Sequence, residues 1–210
     1  MIKGILYDLD NTLANCADWH AAALNKALKE IVGFEIGEEE HVSIFNGLPT
    51  KKKLDLLINQ KRITANVYQK ICNKKQEYTK EIIKIEAAED TIKIKLHRQN
   101  RWNGLKSACV TNSITETAAL ILEKTGQLDY MEFVISNEVV RHPKPHGEGF
   151  IIAMIRLGIY PAETIIVEDS HVGIQAAKST GAHVWEIKNS DDVNYDNFQQ
   201  FMVNLNTRRN

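Results

Sequence analysis

The sequence predicts an α/β fold: a parallel sheet with helices on both faces, plus a small all-helical unit. Three observations predict it. The stretch "GILYDLD", residues 4–10, is a short apolar run ending in two aspartates. From there to about position 82 only helical patterns follow, punctuated by Gly37, Gly47 and Pro49. Beyond that, strand-like and helix-like segments alternate. This is the rhythm of βαβ units, and hence of a parallel sheet covered on both sides.

Residues 2–8 read as a buried strand. "ADWHAAALNKALKEIVGF" sets Trp19, Ala22, Ala23, Ala27, Leu28 and Ile31 at helical spacing, and Gly33 ends it. "EEEHVSIF", "TKKKLDLLINQ" and "TANVYQKICNKKQEYTKEIIK" continue in the helical period. "LKSACVTNS" reads as a strand ending in polar residues. "SITETAALILEKTG" reads as a helix, with Ser113 and Glu116 at capping-box spacing and Gly126 as C-cap. "EFVIS", "ETIIVEDS" and "AHVWEI" read as strands. Between them, "GEGFIIAMIRLG" and "HVGIQAAKSTG" read as helices stopped by Gly158 and Gly181. The tail "VNYDNFQQFMVNLN" fits an amphipathic helix through Phe198, Phe201, Met202 and Leu205. The expected division is an α/β core from residues 1–14 and 84–210, with a helical cap, 15–83, inserted after the first strand.

Composition narrows the function classes. Lys and Arg total 26 against 27 Asp and Glu, so there is no basic track for nucleic acid and no acidic tail. No apolar stretch is long enough to span a bilayer, and Asp8 arrives too early for a signal peptide. Cys16, Cys72 and Cys109 are odd in number and form no CxxC pair, against a disulfide framework or a zinc site. Cys109 lies in an apolar run and reads as a small core residue. Lys51-Lys52-Lys53 reads as a solvated helix start. A cytoplasmic protein, monomer or weak dimer, with neither nucleic-acid nor membrane partners, is the expectation.

The chemistry gathers at the predicted strand ends: Asp8 with Asp10, Thr111 with Asn112, Lys144 before a helix, and Glu168 with Asp169. A parallel sheet brings such ends to one rim, and ligands bind there. Carboxylates crowded together repel, and a hard divalent cation resolves that repulsion. Oxygen ligands of this kind describe a magnesium site completed by water or a phosphate. Asp8 and Asp10 are two apart, so in extended chain they point the same way. One could bind metal and attack phosphorus while the other handles protons at the leaving oxygen. Lys144 would cancel the repulsion between carboxylate and phosphate. Thr111, just before a helix start, would offer its hydroxyl to phosphate oxygens. A calcium loop over residues 8–12 lacks the glycine such loops need, and a strand precedes it where a helix should.

These residues carry a resemblance. "DLDNTL" resembles motif I of the haloacid dehalogenase superfamily, DxDx(T/V). "CVTNS" looks like motif II, and "PKPHGEGFIIAMIRLGI" is similar to motif III with its following helix. "IIVEDSHVGIQAAKSTGA" matches motif IV of the subgroup holding β-phosphoglucomutase and phosphoglycolate phosphatase. The four run in family order along the whole chain. The resemblance implies a Rossmann-like core with a helical cap and a Mg2+-dependent phosphatase acting on a small phosphorylated metabolite. It implies Asp8 as nucleophile, forming an aspartyl-phosphate, and Asp10 as general acid and then base. Thr111, Asn112 and Lys144 would hold the phosphoryl group. Asp8, the Asp10 carbonyl and Asp169 would bind magnesium, with Glu168 a ligand or just behind. His20 falls where the subgroup often has a cap histidine and would touch substrate, and Gly47 matches a cap-loop glycine. A phosphomutase of the β-phosphoglucomutase type is the alternative activity. A receiver-type phospho-switch uses similar groups but puts its acceptor aspartate on a later strand. Three departures stand out. Asn11 replaces a common glycine, so the loop there is expected to sit differently. Gly147 replaces the second proline of KPxP, which would loosen the helix entry. "GLPTKK" lacks the arginine that β-phosphoglucomutase carries after its glycine, which weighs against mutase activity.

Overall fold

The computed structural model describes residues 1–45 and 48–207, so Gly47 lies outside the described residues. In chain order the elements are β1 (Gly4–Tyr7), α1 (Ala17–Val32), α2 (Glu38–Glu40), α3 (Thr50–Asn59), α4 (Tyr68–Glu86), α5 (Thr91–Trp102), β2 (Lys106–Val110), α6 (Thr115–Lys124), β3 (Val134–Ile135), α7 (Glu148–Leu157), β4 (Thr164–Glu168), α8 (His171–Lys178), β5 (His183–Glu186) and α9 (Tyr195–Thr207). They form two compact units: Met1–Asn15 with Ala88–Asn210, and Cys16–Ala87.

In the first unit the strands form one Rossmann-like parallel sheet in the order β3-β2-β1-β4-β5. Its central strand, β1, is buried at every position, which is why it reads as an unbroken apolar run. Tyr7 sits level with Cys109 of β2 and Val167 of β4, so the three strands end together. The chain builds outward from β1 to β2 and β3, then crosses to β4 and β5. The rim beside β1 is therefore the switch point where ligands of such sheets bind.

Both faces of the sheet are covered. Leu6 packs in a cluster with Val110, Phe150 and Ala153, on the side of α7 and α8. The next side chain, Tyr7, points the other way and meets α5: its hydroxyl accepts from Asn100 Nδ2 at 3.1 Å, and its ring stands edge-on to His97. Cys109 is fully buried, as a core residue should be. Helix α5 has no counterpart in the sequence reading. Its start, "TIKIKL", alternates like a strand, yet Ile92 is exposed and Lys93 buried, so alternation does not follow burial. Asp90 settles the helix by accepting from the Lys93 N–H and pairing with the Lys93 ammonium at 2.8 Å.

The second unit is helical. Here α1 packs along α4, and Leu24, Leu28, Leu54, Leu57 and Ile71 form the centre of its core. Among the described residues of the chain, no helix is long and apolar enough to cross a membrane.

Candidate active site

Asp8 is the first residue past β1 and is anchored by its N–H to the Val167 carbonyl at 3.0 Å. The chain then turns back on itself. The Leu9 carbonyl accepts from the N–H groups of Thr12, Leu13 and Ala14, and Asn11 donates to the Ala14 carbonyl at 2.7 Å. Asn11 holds φ at 61°, the left-handed region that glycine favours and asparagine tolerates. The Gly-to-Asn departure is thus accommodated with a glycine-like backbone.

Lys144 organises the rim. Its ammonium donates to Asp8 Oδ1 at 2.5 Å, to Glu168 Oε1 at 2.5 Å and to the Val110 carbonyl at 2.8 Å. All three N–H bonds are used, one at the end of each of β1, β2 and β4. Burial alone would lower the Lys144 pKa, but Asp8 and Glu168 outweigh it and hold the side chain charged. Asn112 clamps the Lys144 backbone from both sides, accepting from its N–H at 3.1 Å and donating to its carbonyl at 3.3 Å. The Asn112 side chain is thus engaged in placing Lys144.

Asp10 faces β2. Its Oδ2 accepts from Ser113 Oγ at 3.1 Å, with Thr111 Oγ1 at 3.5 Å. The N-cap position of α6 falls to Ile114, one residue past Ser113, and Ile114 makes no side-chain cap bond. The Thr115 N–H is satisfied instead by Glu138 at 2.9 Å. The capping-box reading, with Ser113 as N-cap, is corrected to this extent: the N-cap is Ile114, and the Ser113 hydroxyl donates to the Asp10 carboxylate.

One oxygen from each of Asp8, Glu168 and Asp169 lies within 4.8 Å of the others. Three carboxylates against one ammonium leave the rim anionic. Burial, then Glu168, pushes the Asp8 pKa well up, with Lys144 opposing. Burial and Glu168 likewise push Asp169 up to about 6. This excess of hard oxygen donors fits a divalent cation. Glu168 is fully buried, and both its oxygens are engaged: Oε1 with Lys144, and Oε2 with Ser170 Oγ at 3.2 Å. A Cβ on Gly173 would stand 2.0 Å from that carboxylate, so α8 starts hard against it. Thr12 Oγ1 lies 3.5 Å from Asp169 Oδ1. Gly147 is a contact rather than a slack position: a Cβ there would meet Ser179 Oγ at 2.5 Å and the Ala176 carbonyl at 3.1 Å.

Beneath the rim runs a buried polar brace. Gln127 Nε2 donates to the Leu13 carbonyl and to Thr125 Oγ1, leaving its Oε1 to accept from His97 Nε2 at 3.0 Å. That assigns the proton of a neutral His97 to Nε2. Its Nδ1 is a buried acceptor without a hydrogen-bond partner among the described residues.

In the helical unit, His20 Nδ1 lies 3.1 Å from the ammonium of Lys75, which α4 carries in a buried position. The sequence reading singled out neither Lys75, Ser113, Ser170 nor Gln127 as site residues. Only Ser170 left a usable signal: the S-x-x-G of "SHVG" is a helix start, and Ser170 Oγ accepts from the Gly173 N–H at 3.1 Å.

The pattern of haloacid dehalogenase-like hydrolases matches residues 5–187. A pyrophosphatase of Oceanobacillus iheyensis is 30% identical, over 92% of this chain and 87% of its own length. A phosphoglycolate phosphatase of Salmonella typhimurium is 28% identical, over 86% of this chain and 79% of its own. Among solved structures, a β-phosphoglucomutase of Clostridium difficile superposes with a TM-score of 0.82 at 20% identity, covering 97% of this chain and 100% of the other.

Proposed function

Because the chain belongs to the haloacid dehalogenase-like hydrolase family, we propose that it is a magnesium-dependent phosphatase of a small phosphorylated metabolite, such as a sugar phosphate or a phosphoglycolate-like acid. The observation that carries this reading is the anionic rim: Asp8, Glu168 and Asp169 gathered around the single ammonium of Lys144. The phosphatase and pyrophosphatase names of its relatives favour hydrolysis.

Asp8 is the nucleophile. Its carboxylate oxygen bonds to phosphorus as the bond to the leaving oxygen breaks, and Asp10 gives that oxygen a proton. Asp10 then takes a proton from water, the water oxygen bonds to phosphorus, and the bond to Asp8 breaks. Ser113 and Thr111 orient Asp10 for both transfers. Lys144 opposes the burial that raises the Asp8 pKa and offsets the negative charge of the incoming phosphate. Asp8, Asp169 and the Asp10 carbonyl would hold magnesium, which would supply positive charge to the phosphoryl oxygens. Glu168 supports the site by fixing Lys144. Thr111 and Asn112 line the phosphoryl position, Asn112 chiefly through its grip on Lys144. His20, with Lys75 beside it, is assigned to substrate recognition.

The test is phosphate release from a panel of sugar phosphates, phosphoglycolate and pyrophosphate with magnesium present. Wild type releases phosphate, and Asp8→Asn loses at least about 1,000-fold in turnover. An Asp8→Asn protein with wild-type turnover would remove the nucleophile assignment. Exchange between glucose phosphate isomers without net phosphate release would instead establish the phosphomutase.

A further inference from the structure

Away from the rim, the segment before α7 gathers a different set of ligands. We propose that His142, His146 and Glu148 form a site for a transition-metal dication of the zinc type. One ligand atom from each lies within 4.8 Å of the other two. His142 Nδ1 stands 2.8 Å from Glu148 Oε2, and the two imidazole rings are 5.0 Å apart between centroids.

The carboxylate is already oriented. Glu148 Oε1 accepts from the Arg141 N–H at 2.8 Å, and Oε2 from the His142 N–H at 3.0 Å. Such backbone partners fix the aim of a metal-binding carboxylate. His146 Nδ1 accepts from the Glu148 N–H at 3.1 Å, so in the neutral ring the proton sits on Nε2, and a metal bound at Nδ1 would take the place of that hydrogen bond. Pro143 and Pro145 stiffen the chain between the two histidines, so little backbone freedom is lost on binding.

Ligand chemistry separates the two clusters. Two imidazoles and a carboxylate suit zinc, nickel or copper, whereas the all-oxygen rim suits magnesium. Both histidines are exposed, leaving coordination positions for water. The α7 N-terminus opposes a cation only weakly at an exposed position, and Glu148 offsets it. The histidines stand two residues before and two after Lys144, so an ion here ties together the ends of the segment that carries the rim's ammonium.

The test is equilibrium dialysis of the full chain against zinc chloride, with excess magnesium chloride present to occupy the rim. Wild type should retain about one zinc per chain. The double variant His142→Ala/His146→Ala should lose it; because the variant also removes the bonds of both rings to Glu148, its zinc-free melting curve is recorded to show that it is folded. No zinc retained by wild type, or equal zinc retained by the double variant, overturns the site. Cobalt(II) gives an independent readout: wild type should show the intense visible absorption of a four-coordinate ion, and the double variant should not.

Discussion

Gln127 reaches across 114 residues of sequence to donate its side-chain amide to the Leu13 carbonyl at 2.8 Å. Leu13 lies in the turn that carries Asp8 and Asp10, so a side chain outside the rim holds the backbone of both carboxylates proposed to react. Replacing Gln127 with Met keeps the bulk and removes the donor. Turnover should fall about tenfold with KM little changed, because misplaced groups lose rate more than binding. Gln127→Glu, which also cannot donate to Leu13, should behave alike in steady-state assays. Equal kcat in wild type and both variants would reduce Gln127 to a packing residue.

His97, the partner of Gln127, gives the fold an acid-sensitive point. Burial pushes its pKa down to about 4, from an unfolded value of 6.5. Between these values the unfolded chain binds a proton that the folded chain refuses, so stability falls as pH drops below 6.5. The slope approaches about 1.4 kcal/mol per pH unit. From pH 7.5 to pH 5 the loss assigned to His97 is roughly 2 kcal/mol. Urea unfolding at the two pH values should show it, and His97→Phe should flatten that part of the profile.

Lys144→Met removes the ammonium and leaves Asp8 and Glu168 buried against each other. Breaking a buried pair from one side costs about 3–5 kcal/mol. The variant should unfold at lower urea, regain part of that loss when magnesium is added, and regain part again in Lys144→Met/Glu168→Gln. Turnover should fall about 100-fold or more in Lys144→Met. Unfolding curves that ignore magnesium would argue against an ion between these carboxylates.

Gly173→Ala puts a methyl where the Glu168 carboxylate lies, 2.0 Å away. Glu168 must then leave Lys144 or α8 must shift. Overpacking of this kind costs about 1–3 kcal/mol. The loss of turnover should resemble that of Glu168→Gln and exceed what the stability change explains. Phosphate release measured well below the melting temperature separates the two effects.

Much of this was legible in the sequence, for identifiable reasons. A strand buried on both faces must be apolar throughout, so Ile5, Leu6 and Tyr7 announced β1 and Asp8 announced its end. The helices bounded by Gly126 and Gly158 followed from their punctuation. Helix α5 did not, because its leading isoleucines alternate with lysines and one of those lysines, Lys93, is the buried member. In the site, carboxylates and Lys144 were readable as charge at strand ends. The groups that aim them were not. Ser113 has the spacing of a cap and donates to Asp10; Asn112 reads as a site residue, but its grip on the Lys144 backbone was not legible, and Gln127 acts through neighbours remote in sequence. Lys75 sits on a helix full of surface lysines, and nothing in its local pattern marks it as the buried one.

The bonds of Lys144 to the ends of three adjacent strands make it a rivet of the sheet. A descendant of this enzyme could trade residues of its helical unit with the sheet intact. It could not trade the lysine without unfastening the edge on which its chemistry stands, so drift should accumulate around that atom rather than at it.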